Sequence, residues 1–329
     1  RPRALHSEPY RSRQYMRFRH MRMKKIKFLL IALMMLMVAP VSAQSKYTVP
    51  LTGRKVSLWV SDEQVLSLSE KEYKSYLSSA KLSTNATQTA MVKRVGQRLA
   101  TAVETYLKQV NRLDAIQNYN WEFNLVQDNS ANAFCMPGGK IVVYEGLLPI
   151  TQDESSLAIV LGHEIAHAVA KHSAEQLSTQ AKQNVGAKVL GAVLGVAGAS
   201  NATSILTQTA FSLGTKLSSL KYSRDNENEA DYMGLVFAAM AGYDPSVAVS
   251  FWQRMASNSQ NRKLAFLSDH PSDANRIANI KKWLPVANKY YKPVVTSTHK
   301  TTTTKKSTTS KKKKTTSKKK ATKKTTKKR

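Results

Sequence analysis

His163-Glu164-Ile165-Ala166-His167 governs how the rest of the chain is read. Residues four apart on an α-helix differ by about 40° in direction, so both imidazoles leave the same face. That spacing lets two neutral ring nitrogens reach one zinc ion at about 2.0–2.1 Å. Glu164, next to the first histidine, then stands beside the metal rather than on it, within reach of a water. Upstream, Thr151-Gln152-Asp153-Glu154 has the form of a capping box. It predicts one helix opening at Thr151 and running to about Leu177.

Two histidines leave a zinc site incomplete, and the third ligand separates the possible classes. A further histidine on the same strand of sequence would need Gly at position 170 and His at 173; the chain has Ala170 and Ser173. The other solution is a glutamate on a second helix, followed one turn later by an aspartate that bonds a ligand imidazole. The stretch Ser223-Arg224-Asp225-Asn226-Glu227-Asn228-Glu229-Ala230-Asp231 supplies both. Glu227 and Asp231 share a face while Glu229 points elsewhere. This makes His163, His167 and Glu227 the expected ligands of one Zn2+ per chain, and Glu164 the catalytic base. Asp231 is the partner that fixes a ligand's tautomer. His172 lies five residues after His167, roughly 140° round an unbroken helix, so it is expected to be structural.

Around this centre the pattern is mainly helical with a small antiparallel sheet, an α+β gluzincin-type domain with an HExxH helix and an ExxxD helix. Residues 49–60 look extended, and 62–82 and 87–112 carry helical spacing. Trp121 to Val126 alternates like a half-buried strand. Residues 131–144 form a hairpin around Pro137-Gly138-Gly139. Strand 140–144 (Lys140, Ile141, Val142, Val143, Tyr144) is expected at the sheet edge, where it would pair with an extended substrate backbone. Residues 185–214, rich in small side chains, read as a packed helical hairpin, with membrane contact as the alternative. Helices near 219–241, 246–258 and 272–284 close the body, and no internal repeat is present.

The chain has 329 residues, 42% of them apolar, which is incompatible with wholesale disorder. Its formal charge of +30 comes from 51 Lys and Arg against 21 Asp and Glu. Most of the excess sits at the ends: ten basic residues against one acid in 1–27, and fifteen against none in 300–329. The body is nearly balanced, so no specific nucleic-acid partner is implied. A single cysteine, Cys135, excludes an intramolecular disulfide framework and a multi-cysteine zinc finger; it is expected to pack as a small hydrophobe.

Residues 23–43 have a positive start, an apolar run from Phe28 to Val38 and small residues ending at Ala43. They read as a secretory signal cleaved after Ala43, with an uncleaved anchor as the alternative. Residues 1–22 precede a plausible start at Met23. The domain scheme is therefore 1–43 upstream segment plus signal, 44–295 catalytic domain and 296–329 a disordered Lys/Thr-rich tail. The tail would attach loosely to anionic surfaces or serve only solubility.

Four blocks now amount to a resemblance: NAFCMPGGKIVVYEGLL at 132–148, HEIAHAVAKHSAEQ at 163–176, SRDNENEADYMGL at 223–235 and DHPSDANRI at 269–277. With VPLTGRK and VGQRLATAVE near the front, they are similar to family-48 metallopeptidases, the HtpX, CAAX-prenyl-protease and Oma-type group. The chain looks like the soluble, signal-bearing bacterial branch. The resemblance implies a mainly helical zinc endopeptidase in which the ExxAD glutamate, here Glu227, is the third ligand. The His270-Pro271 element, with Arg276 after it, resembles one in bacterial members whose histidine can approach the zinc. It implies His270, and with it Arg276, as a fourth ligand or oxyanion stabiliser. The membrane helices of the prenyl-protease members and the repeats of some periplasmic ones have no counterpart. The expected function is hydrolysis of unfolded or damaged cell-envelope polypeptides in the periplasm, at or near the membrane. The alternatives are a latent metal-bound scaffold or holdase autoinhibited by His270, and a polycation-tailed anionic-surface binder. Oligomeric state does not follow from the sequence.

Overall fold

Short polar residues set most of the element boundaries. A computed structural model of the chain describes residues 45–193, 217, 220–259, 264–270 and 275–293, all within one compact unit ending at Val294. The signal, the tail and the 194–214 part of the small-residue segment lie outside the described residues. Strands β1 (Ser45–Thr48) and β2 (Lys55–Leu58) pair antiparallel across a tight loop. Ser61 opens α1 (Asp62–Ser79) with a capping box completed by Gln64. Asn85 caps α2 (Ala86–Gln109), which buries Val92, Val95, Leu99, Val103 and Leu107 at a 3–4 residue spacing.

The second sheet holds β3 (Glu122–Val126), β4 (Ala133–Met136) and β5 (Lys140–Tyr144). The expected hairpin turn is present, with Gly138 and Gly139 at φ +89° and +82°, where a glycine carries no Cβ penalty. Strand order is β3-β5-β4, with β3 parallel and β4 antiparallel to β5, so the sheet is mixed rather than purely antiparallel. This corrects the placement of residues 140–144. Lys140, Ile141, Val142, Val143 and Tyr144 form the central strand, hydrogen-bonded on both sides, and offer no free edge. The unbroken apolar run of β5 is the physical reason, since Ile141, Val142 and Val143 are covered on both faces. The edge nearest the HExxH helix belongs to β4.

The helix expected from Thr151 to Leu177 is three pieces: α3 (Leu148–Thr151), α4 (Glu154–Val169) and α5 (His172–Val193). Asp153, not Thr151, is the cap of α4, accepting from the Ser156 N–H at 2.7 Å. The second break is at Lys171, which takes the left-handed conformation at φ 59°. That conformation costs a non-glycine residue roughly 1–2 kcal/mol. The Lys171 ammonium offsets it by pairing with Asp62 and lying 4.3 Å over the Tyr47 ring.

After Ser223, whose side chain accepts from the Asn226 N–H, come α6 (Arg224–Met240), α7 (Val247–Ser259), α8 (Ala265–Asp269) and α9 (Arg276–Ala287). Every residue of α4 from Ser156 to Val169 is buried, as expected of a central helix. It crosses α6 where two glycines meet. A Cβ on Gly162 would lie 2.6 Å from the Gly234 carbonyl oxygen, and one on Gly234 2.5 Å from the His163 nitrogen. Helices α4 and α6 are thereby held at backbone contact. No helix among the described residues is long and apolar enough to cross a membrane.

Candidate metal centre

The α4–α6 crossing sets His163, Glu164 and His167 against Glu227 and Asp231, and the C-terminal end of α8 adds His270. Ligand atoms of His163, His167, Glu227 and His270 all lie within 4.8 Å of one another, and all four residues are buried. The Nε2 atoms of His163 and His167 are 3.0 Å apart. Glu227 stands 3.4 Å from His163 Nε2 and 3.5 Å from His167 Nε2. His270 Nδ1 is 3.3 Å from His163 Nε2 and 3.1 Å from Glu227 Oε1. Ligands on a tetrahedral zinc at about 2.0–2.1 Å are about 3.3–3.4 Å from each other. Three imidazole nitrogens and one carboxylate gathered this closely fit zinc in donor type, and these separations lie near that spacing.

Glu164 lies beside this cluster and outside it. Its Oε2 accepts the Cys135 N–H of β4 at 3.1 Å. Its Oε1 is buried without a hydrogen-bond partner and faces His270 Nε2 at 3.4 Å. Burial raises the Glu164 pKa, with His270 and His163 pulling against it.

The ring nitrogens turned away from the cluster are held on each side. His163 Nδ1 lies 2.9 Å from Asp231 Oδ1. Asp231 in turn accepts from Arg276 Nε at 2.5 Å. Arg276 also donates to Glu227 at 3.1 Å and stacks 3.8 Å over the Trp252 ring. Burial would lower the His163 pKa, but the Asp231 and Glu227 carboxylates outweigh it and push the value up to about 9. Burial also works against ionisation of Asp231; Arg276 and His163 overcome it and hold the carboxyl below its usual range. His167 carries no carboxylate on Nδ1. Burial, together with neighbouring imidazoles, drops its pKa well below the ordinary value.

All seven residues expected from the motifs, His163, Glu164, His167, Glu227, Asp231, His270 and Arg276, meet here. The Arg276 guanidinium lies on the two acids, donating from Nε and Nη2 to Asp231 and from Nη2 to Glu227. Pro271 lies outside the described residues. Sequence reasoning missed two neighbours of His167, Tyr222 and His172, and the Glu229 behind the second. Tyr222 stacks on its ring at 4.1 Å between centroids. His172 Nδ1 lies 2.8 Å from His167 Nδ1, and Glu229 Oε2 2.9 Å from His172 Nε2. The 140° offset assumed an unbroken helix, and no glycine or proline marks the break at Lys171.

The chain matches Peptidase family M48 over residues 86–284. It is 37% identical over 188 residues to the mitochondrial metalloendopeptidase OMA1 of Schizosaccharomyces pombe, covering 56% of this chain and 53% of that protein. To OMA1 of Saccharomyces cerevisiae it is 33% identical over 256 residues, covering 74% and 70%. To the beta-barrel assembly-enhancing protease of Escherichia coli K12 it is 26% identical over 270 residues, covering 80% and 53%. The chain thus spans about half the length of two of these relatives and more of the third.

Proposed function

The chain belongs to peptidase family M48, and from that premise we propose that it is a zinc metalloendopeptidase with Glu164 as general base. His163, His167 and Glu227 hold the metal. When bound, zinc polarises the scissile carbonyl and lowers the pKa of the attacking water. Glu164 Oε1 takes the proton from that water and passes it to the leaving amine. The Cys135 N–H fixes the other carboxylate oxygen, so the free oxygen keeps its aim. Asp231 and Arg276 orient His163 and Glu227. An extended substrate pairs along the outer edge of β4, next to Glu164, which favours unfolded over native polypeptides.

One observation carries this reading: three imidazoles and a carboxylate with ligand atoms within 4.8 Å of one another, beside a buried glutamate oxygen that has no hydrogen-bond partner. The test is zinc content and casein cleavage by the full chain, wild type against Glu164→Gln. The expected result is one zinc per chain in both and cleavage by wild type alone. Cleavage by the Gln variant at the wild-type rate removes Glu164 as base, and a wild type without zinc removes the metal centre.

His270 occupies the fourth corner of the cluster and must leave it before a substrate carbonyl can enter. We read it as an autoinhibitory latch. His270→Ala should then raise basal cleavage; a fall would instead make it a transition-state group. The latent-scaffold reading rests on the same contact and requires that this variant stay inactive. Substrates in the cell envelope, reached by secretion across the inner membrane, are supported by the naming of the E. coli relative for β-barrel assembly. Detection of the chain in an osmotic-shock fraction, and its loss on deletion of residues 23–43, would test that placement.

A further inference from the structure

The two ligand imidazoles are held by arms of different make. On His163 the arm is a carboxylate backed by an arginine. On His167 it is longer. His167 Nδ1 and His172 Nδ1 lie 2.8 Å apart, and two ring nitrogens at that distance share a single proton. With His167 Nε2 turned towards the cluster as an acceptor, the proton belongs on His167 Nδ1. His172 then accepts at Nδ1 and carries its own proton at Nε2, which donates to Glu229 Oε2 at 2.9 Å. One tautomer satisfies the whole chain. His172 is completely buried and Glu229 nearly so, which leaves little room for solvent to replace a lost partner.

Glu229 is held from an unexpected direction. Thr52 Oγ1 donates to its Oε1 at 2.5 Å and Arg54 Nε to its Oε2 at 2.8 Å. Both donors stand in the loop between β1 and β2, ahead of the 86–284 span of the family match. Left-handed Leu51 and Gly53, at φ 68° and 70°, curl this loop so that the Val49 N–H reaches the Arg54 carbonyl at 2.8 Å. The hairpin is fastened to the break that aims His172: Tyr47 Oη donates to the Val169 carbonyl at 2.5 Å, and the Trp59 N–H to Ser178 Oγ at 2.9 Å. Arg54 also forks onto Glu175 at 2.8 and 2.9 Å.

We propose that Thr52 and Arg54, acting through Glu229 and His172, are positioning residues for His167, so that the amino-terminal hairpin is a working part of the metal centre. The proposal rests on the reading of His163, His167 and Glu227 as zinc ligands. The arm fixes the ring plane and proton of His167, as Asp231 and Arg276 do for His163. Partners of this kind are worth about 10–100-fold in metal affinity or activity.

The experiment uses the full chain as wild type, Thr52→Val, Arg54→Leu, His163→Ala and, as a control, Glu175→Gln. Each is stripped with a chelator and titrated with zinc against a chromophoric competitor, then loaded with Co2+ for its visible absorption spectrum. Arg54→Leu is expected to lose about 10–100-fold in zinc affinity and to change the cobalt spectrum. Thr52→Val, which keeps its shape and loses one donor, should lose several-fold. In turnover, kcat falls with KM unchanged. Glu175→Gln, which leaves Glu229 its donors, should stay at wild-type affinity. Wild-type affinity and spectrum in both Thr52→Val and Arg54→Leu, with binding abolished in His163→Ala, overturns the positioning role and leaves the metallopeptidase reading intact. An equal loss in Glu175→Gln assigns the effect to general packing and also overturns it. A wild type that binds no zinc brings down both. Should Arg54→Leu not fold, Thr52→Val decides alone.

Discussion

Arg276 shows how a residue can bear on the centre through the acids it binds. Its guanidinium faces Glu227 and Asp231, two buried carboxylates that would otherwise repel each other. Replacing it with methionine takes the guanidinium charge from both, and removing one partner of a buried ion pair typically costs about 3–5 kcal/mol. A bound divalent ion supplies part of the missing positive charge. Arg276→Met should therefore lower the melting temperature of the chelator-stripped protein more than that of the zinc-loaded protein, which thermal unfolding with and without zinc will show. Cys135 makes the opposite case. It serves the site through its backbone N–H, while burial, and after it the nearby Glu164, raise the thiol pKa well above the ordinary value. Cys135→Ala should keep activity within about twofold and cost about 1 kcal/mol for the lost sulfur. In the wild type the thiol should stay unreactive to Ellman's reagent until the protein unfolds.

At the scale of elements, the centre depends on how closely α4 approaches α6. Gly162 and Gly234 permit backbone contact, and the atom nearest a Cβ on Gly234 is the His163 nitrogen itself. Gly234→Ala should cost about 1–3 kcal/mol by overpacking and lower zinc affinity, because the helix that must shift carries the ligands. Melting temperature and zinc titration check both parts. The contact was not legible in advance, since both glycines sit inside helices and mark no turn. Other elements were legible. The spacing of Glu227 and Asp231 placed both on the inner face of α6, and Pro137-Gly138-Gly139 marked the β4–β5 turn. The place of β5 in the sheet was not legible: a continuous apolar run says that a strand is covered on both faces, and which neighbours flank it only packing decides.

Across the whole molecule, the amino-terminal hairpin, α5 and α6 converge on Glu229. Burial would raise this carboxyl's pKa, but donors from His172, Arg54 and Thr52 outweigh it and hold it down to about 2, against an ordinary value of 4.5. A depressed carboxyl pKa contributes stability above the unfolded value and loses it as the pH falls towards the folded one. The gap in melting temperature between metal-free wild type and Glu229→Gln should thus be full above about pH 5 and close as the pH approaches 2. A gap that stays constant across that range would mean that Glu229 is not ionised in the folded protein.

What the sequence by itself determined is which residues stand together on a helix: two histidines on one face with a glutamate beside the first, and a glutamate and an aspartate on one face of another. Such relations follow from the helical repeat, which needs only neighbours in the chain. The tertiary structure alone decided which distant groups meet. It set β4 rather than β5 at the edge, turned Arg276 onto the carboxylates, and brought Thr52 and Arg54 to Glu229. Above all it swung His172 onto His167 at a break held by Lys171, Asp62 and Tyr47. A left-handed lysine is not encoded by its own preferences, which oppose it. It exists because contacts from another part of the chain outweigh the local cost, and contacts of that kind come into being only when the chain is packed.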